Sequence, residues 1–423
     1  MNTITSIILF CGLFCSNYLN EKQKNSVPHI DTQLIKVDSL LWDLEALSNV
    51  PRVLGVEIIN EDKVRSLLYQ SVDYNGKSTQ VFAYYSNPDL ISGKKTGRKK
   101  YPGVVLVHGG GGKAYKEWVE KWAAEGYAAI AMDLSGNGAN GEKLMNGGPD
   151  QGDENKFQKI ETGSLKDVWT YHAVASVILG HSLLLSFPEV DIDKTCITGI
   201  SWGGYLTCMV AGLDNRFKAA VPVYGCGYYD ESDIFKENLN RLSSESRKKW
   251  MKYFDPSVYL PFARQKFLFM NGNKDKYYNV VPYHKTYSLI PKEQRTICIK
   301  PAMKHSHPDG WKPREIECFF GSVFNKSEPM IHVTQIAVRD SGITLDFIST
   351  TPVSSVVFYF SNDTISINEK RQWEMRETFV PRPRDEKQEV VCTISKKEYK
   401  YGFFSLRDIR NLTVSSEFII DNK

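Results

Sequence analysis

Long apolar runs that alternate with helical patterns constrain the fold of this chain more than any other feature. The runs "YPGVVLV", "AAIAM", "KTCITGI" and "KFLFM" are apolar nearly throughout and are separated by segments with helical periodicity. Strands covered by helices on both faces have this continuous pattern and pair in parallel. Asn75-Gly76 lies between two alternating runs and predicts an antiparallel hairpin before them. The sequence therefore predicts an α/β fold built on a doubly wound, mostly parallel sheet.

The pattern changes after residue 327. Short alternating runs such as "ITLDFIST", "SSVVFYF" and "YGFFSLRD" follow one another with turn residues between them and no convincing helix. Such spacing is typical of a small antiparallel β-sandwich. We therefore expect three parts: a leader at residues 1–25, an α/β domain at 26–327 and a C-terminal β-sandwich at 328–423.

The N-terminus and the composition limit location and partners. Residues 6–14 form an apolar run that suits a signal-peptide core and is too short to span a bilayer. Export to the periplasm or medium is the favoured interpretation, and a lipid anchor on Cys15 is the minor alternative. A net charge of +4 over 423 residues is too weak to indicate nucleic acid or a membrane surface as partner. Of the eight cysteines, the six beyond the leader have spacings that match no disulfide or zinc framework, and the oligomeric state is left open.

Ser201 lies in "KTCITGISWGGYLTC", between a segment with a strand pattern and a segment with a helix pattern. A serine hydroxyl is a weak nucleophile unless a base reaches it and an oxyanion can be stabilised beside it. A sharp strand-to-helix turn flanked by glycines exposes a serine in this way, and Gly199 and Gly203 have the required spacing. The motif predicts that Ser201 is a catalytic nucleophile.

An acid and a base follow the serine in the order that this motif requires. Asp275 follows the apolar strand "KFLFM", and Asp230, after an earlier strand, is its rival. His305 and His307 follow the strand "RTICIK". We favour Asp275 as the acid and His305 as the base, because a short loop returns His305 to the sheet edge. His307 remains the alternative base.

Backbone N–H groups complete the predicted site. The loop "HGGGG" ends a strand, and its amides together with the amide after the nucleophile can hold an oxyanion. The candidates are Gly110, Gly111 and Trp202. A metal site at His305, His307 and Asp309 is disfavoured, because no further histidine or cysteine stands nearby in the sequence. The string "GNGANG" opens no helix and is disfavoured as a dinucleotide site.

These motifs give the chain a resemblance to the α/β-hydrolase superfamily. "HGGGG", "GISWGG", "NGNKD" and "MKHSHPDGW" resemble the branch that holds dienelactone hydrolases, acetyl xylan esterases and catalytic domains of the prolyl-oligopeptidase type. The resemblance covers about residues 56–324, and residues 167–229 look similar to exported bacterial esterases of carbohydrate-degrading systems. The β-rich tail is similar to a small sandwich domain that some of those proteins carry.

The resemblance implies a serine esterase with a Ser201, His305 and Asp275 triad and no metal or organic cofactor. Its expected substrate is a small-molecule or polysaccharide ester, with an acetylated carbohydrate favoured because aromatic residues crowd the loops above the site. Those residues are Trp202, Tyr228, Tyr229, Tyr253, Phe254, Tyr277, Tyr278 and Trp311. Two alternatives stay open: a serine peptidase of the prolyl-oligopeptidase type, and an inactive hydrolase fold that binds glycan.

Overall fold

The computed structural model describes residues 25–57, 63–95, 97, 100–379 and 387–421. The predicted leader therefore lies, except for Asn25, outside the described residues. The strands before residue 328 are β1 (Val53–Glu57), β2 (Arg65–Tyr74), β3 (Lys77–Ser86), β4 (Tyr101–Val107), β5 (Ala128–Met132), β6 (Val190–Ile200), β7 (Ala219–Val223), β8 (Lys266–Gly272) and β9 (Arg295–Lys300). Those after it are β10 (His332–Arg339), β11 (Gly342–Ile348), β12 (Val353–Ser361), β13 (Glu374–Thr378), β14 (Lys387–Cys392), β15 (Tyr401–Asp408), β16 (Thr413–Ser415) and β17 (Ile419–Ile420).

The α-helices lie between the strands of the first part. They are α1 (Leu44–Ser48), α2 (Pro88–Ser92), α3 (Lys116–Ala124), α4 (Lys159–Thr162), α5 (Trp169–Ser186), α6 (Trp202–Leu213), α7 (Lys236–Asn240), α8 (Ser244–Phe254), α9 (Val280–Ser288), α10 (His307–Trp311) and α11 (Arg314–Val323). A π-helical turn at Glu154–Gln158 precedes α4. None of the helices in the described ranges has the length and apolar character that crossing a membrane requires.

The main sheet has the strand order β1-β2-β3-β5-β4-β6-β7-β8-β9 in its first part. Six neighbouring strands of this sheet pair in parallel, in the order β5, β4, β6, β7, β8 and β9. Strands β1 to β3 are antiparallel and extend the sheet beyond β5. Asn75 and Gly76 both have positive φ values, 52° and 72°, so the predicted hairpin turn is confirmed. Chain order reverses beside β4, and open α/β sheets place ligands at the carboxyl ends of strands near such a point.

Helices α5 and α6 are enclosed on all sides, as the strands that they cover are. Every residue of both helices is buried. The N-terminal segment covers the outer side of α5, where the Trp42 ring stacks on Tyr171 at 5.9 Å and its indole N–H donates to the Tyr171 carbonyl. Because each helix is enclosed on all sides, its apolar residues are not confined to one stripe.

The C-terminal strands form two antiparallel groups. β10, β11 and β14 make a separate three-stranded sheet, whereas β16, β15, β12 and β13 continue the main sheet beyond β9. The junction is short, with Ser415 opposite Ile297. The predicted fold class, a mostly parallel α/β sheet followed by antiparallel β structure, is confirmed. The sequence did not indicate the continuation, because β16 has only three residues; the boundary after residue 327 stays a prediction.

Candidate active site

Ser201 lies on a strained turn between β6 and α6. Its backbone has φ 60° and ψ −116°, a conformation that non-glycine residues rarely adopt. A Cβ on Gly199 would come within 2.2 Å of the Gly203 carbonyl oxygen, and a Cβ on Gly203 within 2.1 Å of the Val107 carbonyl oxygen. The turn is anchored to β7, since the Ser201 N–H donates to the Val223 carbonyl at 2.9 Å. Both flanking glycines are therefore required by close backbone approach.

The structure brings Ser201, His305 and Asp275 into one hydrogen-bonded chain. His305 Nε2 lies 2.8 Å from Ser201 Oγ, and His305 Nδ1 lies 2.6 Å from Asp275 Oδ2. The Asp275 side chain is fully buried and the His305 side chain is 15% exposed. Such an order of nucleophile, imidazole and carboxylate lets the imidazole accept the hydroxyl proton while the carboxylate fixes its tautomer.

Asp275 is held by its own loop as well as by the histidine. Its Oδ1 accepts the N–H groups of Tyr277 and Tyr278 at 2.9 and 2.8 Å. Both carboxylate oxygens are therefore occupied, one by the imidazole and one by the backbone. Asp230, the rival acid, lies in a 3₁₀ turn after β7 and is not the residue that binds His305.

Three tyrosines enclose the His305 ring. The Tyr224 ring centroid lies 4.3 Å away, Tyr277 lies 4.7 Å away and Tyr278 lies 6.0 Å away and nearly parallel. The Tyr224 hydroxyl also donates to the carbonyl of Lys304, which fixes the loop that carries the histidine. Burial raises the pKa of Tyr278 well above its ordinary value, and hydrogen bonding to Tyr229 and Ser201 only partly opposes this. Its hydroxyl therefore stays protonated beside Ser201.

His307, the alternative base, has a different partner. Its Nε2 accepts the N–H of Gly109 at 2.9 Å, so it braces the glycine loop rather than contacting the serine hydroxyl. His108, the first residue of this loop, anchors it to the segment after β5, since its Nε2 accepts the Leu134 N–H at 2.9 Å. Sequence reasoning did not assign these two roles, although both histidines stand in the motifs that identified the site.

Both loop-bracing histidines are neutral near pH 7. Burial lowers the pKa of His108 to about 4, and burial together with the neighbouring His108 and His305 lowers that of His307 to about 4. Protonation of either Nε2 would remove the acceptor that holds the loop. In the unfolded chain an imidazole takes its proton near pH 6.5.

This difference predicts a loss of stability in mild acid. Between pH 6.5 and 4, His108 and His307 bind protons in the unfolded chain and stay largely unprotonated in the native chain. The free energy of unfolding therefore falls as the pH falls. The lowered pKa of the fully buried His108 should reduce the free energy of unfolding by about 3 kcal/mol at pH 4 relative to pH 7. The partly exposed His307 contributes a smaller loss. Urea unfolding at pH 7, 6, 5 and 4 measures the slope. The variant His307→Gln should reduce it and the exposed-site control His332→Gln should not; equal slopes in all three proteins would contradict the prediction.

The predicted oxyanion donors differ in their availability. The Trp202 N–H is the first of α6, where backbone N–H groups lack helical partners and attract negative charge. Gly110 lies against the Trp202 ring, where a Cβ would come within 2.9 Å of Cδ1. The Gly111 N–H donates to Gln151 Oε1 at 3.1 Å and is thus already engaged. Gln151 is a contact that the sequence motif did not indicate.

The eight aromatic residues that the sequence nominated as a substrate platform divide into two groups by burial. Trp202, Tyr229, Phe254 and Tyr278 are buried and pack in the core, whereas Tyr228, Tyr253, Tyr277 and Trp311 are partly exposed. Lys156 lies over the Trp202 ring at 4.4 Å and pairs with Asp153 at 3.0 Å. The segment that carries Lys156 contacts α8, since the Trp250 indole N–H donates to the Lys156 carbonyl at 2.8 Å. The apolar pattern did not predict α7 and α8.

The comparisons with known proteins agree with this architecture. Residues 90–275 match the model of the Dienelactone hydrolase family. Acetyl xylan esterases from Paenibacillus sp. R4 and Thermoanaerobacterium sp. JW/SL YS485 superpose with a TM-score of 0.50 each, at 19% and 16% identity. The first superposition covers 68% of this chain and 93% of that enzyme, and the second covers 67% and 92%. At such identities the likeness establishes the fold.

Curated relatives match over shorter segments. Acetyl esterase Axe7A of Xylanibacter ruminicola is 27% identical over 198 residues, which cover 41% of this chain and 41% of that protein. The uncharacterized peptidase YuxL of Bacillus subtilis is 28% identical over 151 residues, which cover 33% of this chain. This chain covers only 19% of the length of YuxL. It covers 25% of the length of a probable dipeptidyl-peptidase 5 of Emericella nidulans, which it also matches. The chain thus has the fold of these acetyl xylan esterases, and its residues 90–275 are similar to the Dienelactone hydrolase family.

Proposed function

We propose that this chain is a serine hydrolase that cleaves carboxylic esters, with the acetyl groups of carbohydrates as its preferred target. The hydrogen-bonded chain of Ser201, His305 and Asp275 carries the proposal. The family match supports a hydrolase of esters or peptides, and the acetyl preference is supported by the similarity to Axe7A and the two acetyl xylan esterases.

The proposed reaction follows from the positions of the groups. Ser201 Oγ attacks the ester carbonyl while His305 Nε2 takes its proton, and the Asp275 carboxylate stabilises the imidazolium. The amides of Trp202 and Gly110 hold the oxyanion, and Gly111 joins them where substrate displaces Gln151. His305 then protonates the leaving alcohol, and water activated by the same histidine releases the acid from Ser201. Each proton transfer in this scheme uses the one imidazole.

A peptidase is the second candidate, because YuxL and the dipeptidyl-peptidase 5 relatives are named as peptidases. Ester and peptide hydrolysis share the same triad chemistry, and they differ in the leaving group that His305 must protonate. Export of the chain also remains a proposal, which rests on the apolar run at residues 6–14.

Hydrolysis of a substrate panel tests the proposal. The purified chain is assayed with p-nitrophenyl acetate, p-nitrophenyl butyrate, acetylated xylan and aminoacyl p-nitroanilides. We expect release of acetate from the aryl ester and from xylan, with a lower rate on butyrate and little on the anilides. Faster cleavage of anilides than of any ester would favour the peptidase. Folded protein that is inactive on the whole panel would overturn the proposed function.

A further inference from the structure

A loop of the C-terminal region reaches the acid of the candidate triad. This loop, residues 362–373, connects β12 to β13 and is named here the acid-contact loop. Asn368 is its innermost side chain, with only 1% of its surface exposed. The Asn368 Nδ2 donates to the backbone carbonyl oxygen of Asp275 at 2.9 Å, across 93 positions of sequence. A residue of the predicted β-sandwich thus binds a residue of the predicted catalytic domain.

The asparagine is itself held in one orientation. Arg371 Nη1 donates to Asn368 Oδ1 at 3.1 Å, so the amide nitrogen has to face Asp275. Arg371 is 6% exposed, its Nε donates to the Asp363 carbonyl, and its guanidinium lies 4.1 Å from the centre of the Tyr401 ring on β15. The contact is therefore supported by a buried network and by a strand of the extended sheet.

The position of this hydrogen bond matters for the triad. The bound carbonyl belongs to the peptide between Asp275 and Lys276, directly before the Tyr277 N–H that binds the Asp275 carboxylate. Rotation of that peptide would move the Tyr277 N–H and, with it, the carboxylate that faces His305. Asn368 thus restrains the backbone end of a residue whose side chain orients the base. A misplacement of about 1 Å at such a group can lower the catalytic rate on the order of 10²-fold.

We infer that Asn368, oriented by Arg371, is a positioning residue for the catalytic acid, so that the C-terminal β region completes the active site. The inference rests on the role of Asp275 in the proposed function. The acid-contact loop acts through the Asp275 backbone and leaves substrate contact to other groups. Catalytic efficiency is therefore coupled to the docking of the C-terminal strands.

The test measures kcat and KM for p-nitrophenyl acetate from pH 5 to 9 in the full chain. Asn368→Leu removes the donor at similar size, and Asn368→Asp does so isosterically if the leucine variant fails to fold. Ile365→Ser is the matched control, because Ile365 lies on the same loop and is 96% exposed. We expect kcat to fall 10- to 100-fold in the Asn368 variants, KM to change less than about twofold, and the control to match the unmodified protein.

Two further readouts separate positioning from simple destabilisation. Looser pairing of the carboxylate with the imidazolium should move the acidic midpoint of kcat/KM to lower pH, whereas partial unfolding would scale the whole profile. In an Asp275→Asn background, Asn368→Leu should change kcat less than about twofold, because both act on the same group. Full activity in a folded Asn368 variant, an unmoved midpoint or fully multiplicative losses would overturn the inference. An unmodified protein inactive on every ester would instead overturn the proposed function, and this inference with it.

Discussion

Ser201→Ala is expected to lower kcat for p-nitrophenyl acetate by roughly 10⁴- to 10⁶-fold while the protein stays folded. The substitution removes only Oγ, the atom 2.8 Å from His305 Nε2, and no other group on the turn offers an oxygen to the base. The backbone bond from Ser201 to Val223 does not depend on the side chain, so the turn should persist.

The control for this variant is Ser288→Ala on α9, where the serine is exposed and its hydroxyl donates to the His284 carbonyl of the same helix. Near-native circular dichroism and melting temperature in both variants, with activity lost only in Ser201→Ala, is the expected pattern. Retention of more than about one hundredth of the activity in Ser201→Ala would contradict the assignment of the nucleophile.

Asp275→Asn is expected to lower kcat by about 10³- to 10⁴-fold with a small change in KM. Both carboxylate oxygens accept hydrogen bonds, one from His305 Nδ1 and one from the Tyr277 and Tyr278 amides. An amide has one acceptor oxygen, so its NH₂ group must face either the imidazole or the backbone donors. If it faces the imidazole, it stabilises the tautomer in which Nε2 carries the proton and cannot accept one from Ser201.

Asp230→Asn is the matched control for the acid, because Asp230 was the rival candidate and is not the carboxylate bound to His305. Its activity should stay within about twofold of the unmodified protein. Loss of activity in Asp230→Asn with retention in Asp275→Asn would reverse the assignment of the acid and contradict the geometry of the site.

The serine turn, the parallel strands and the partners of the triad could be predicted from short stretches of the sequence. The turn at Ser201 could be predicted because backbone crowding admits only glycine at residues 199 and 203. The parallel strands could be predicted because burial on both faces leaves a continuous apolar run. Asp275 and His305 follow such strands, so chain order was enough to nominate them. The structure places His305 beside Ser201 and Asp275 beside His305.

Other parts depend on contacts between distant residues and leave no comparable pattern. Strand β13 has the sequence "EMRET", which lacks the apolar alternation of its neighbours because it is an edge strand. Helices α7 and α8 are mostly polar, and they meet the core through a few buried side chains such as Trp250. The hydrogen bond from Asn368 to Asp275 has no local signature at all, since neither residue differs in type from an ordinary turn residue.

Covalent labelling with a fluorophosphonate tests the central claim most directly, because the probe reacts only with a serine activated by its base and beside an oxyanion site. The full chain is incubated with the probe, its intact mass is measured, and the modified residue is located in a proteolytic digest. The predicted result is one adduct per chain, on Ser201, that is absent from Ser201→Ala and strongly slowed in Asp275→Asn. A folded protein that takes up no probe, or carries it on a serine other than Ser201, would contradict the assignment of Ser201, His305 and Asp275 as a working triad.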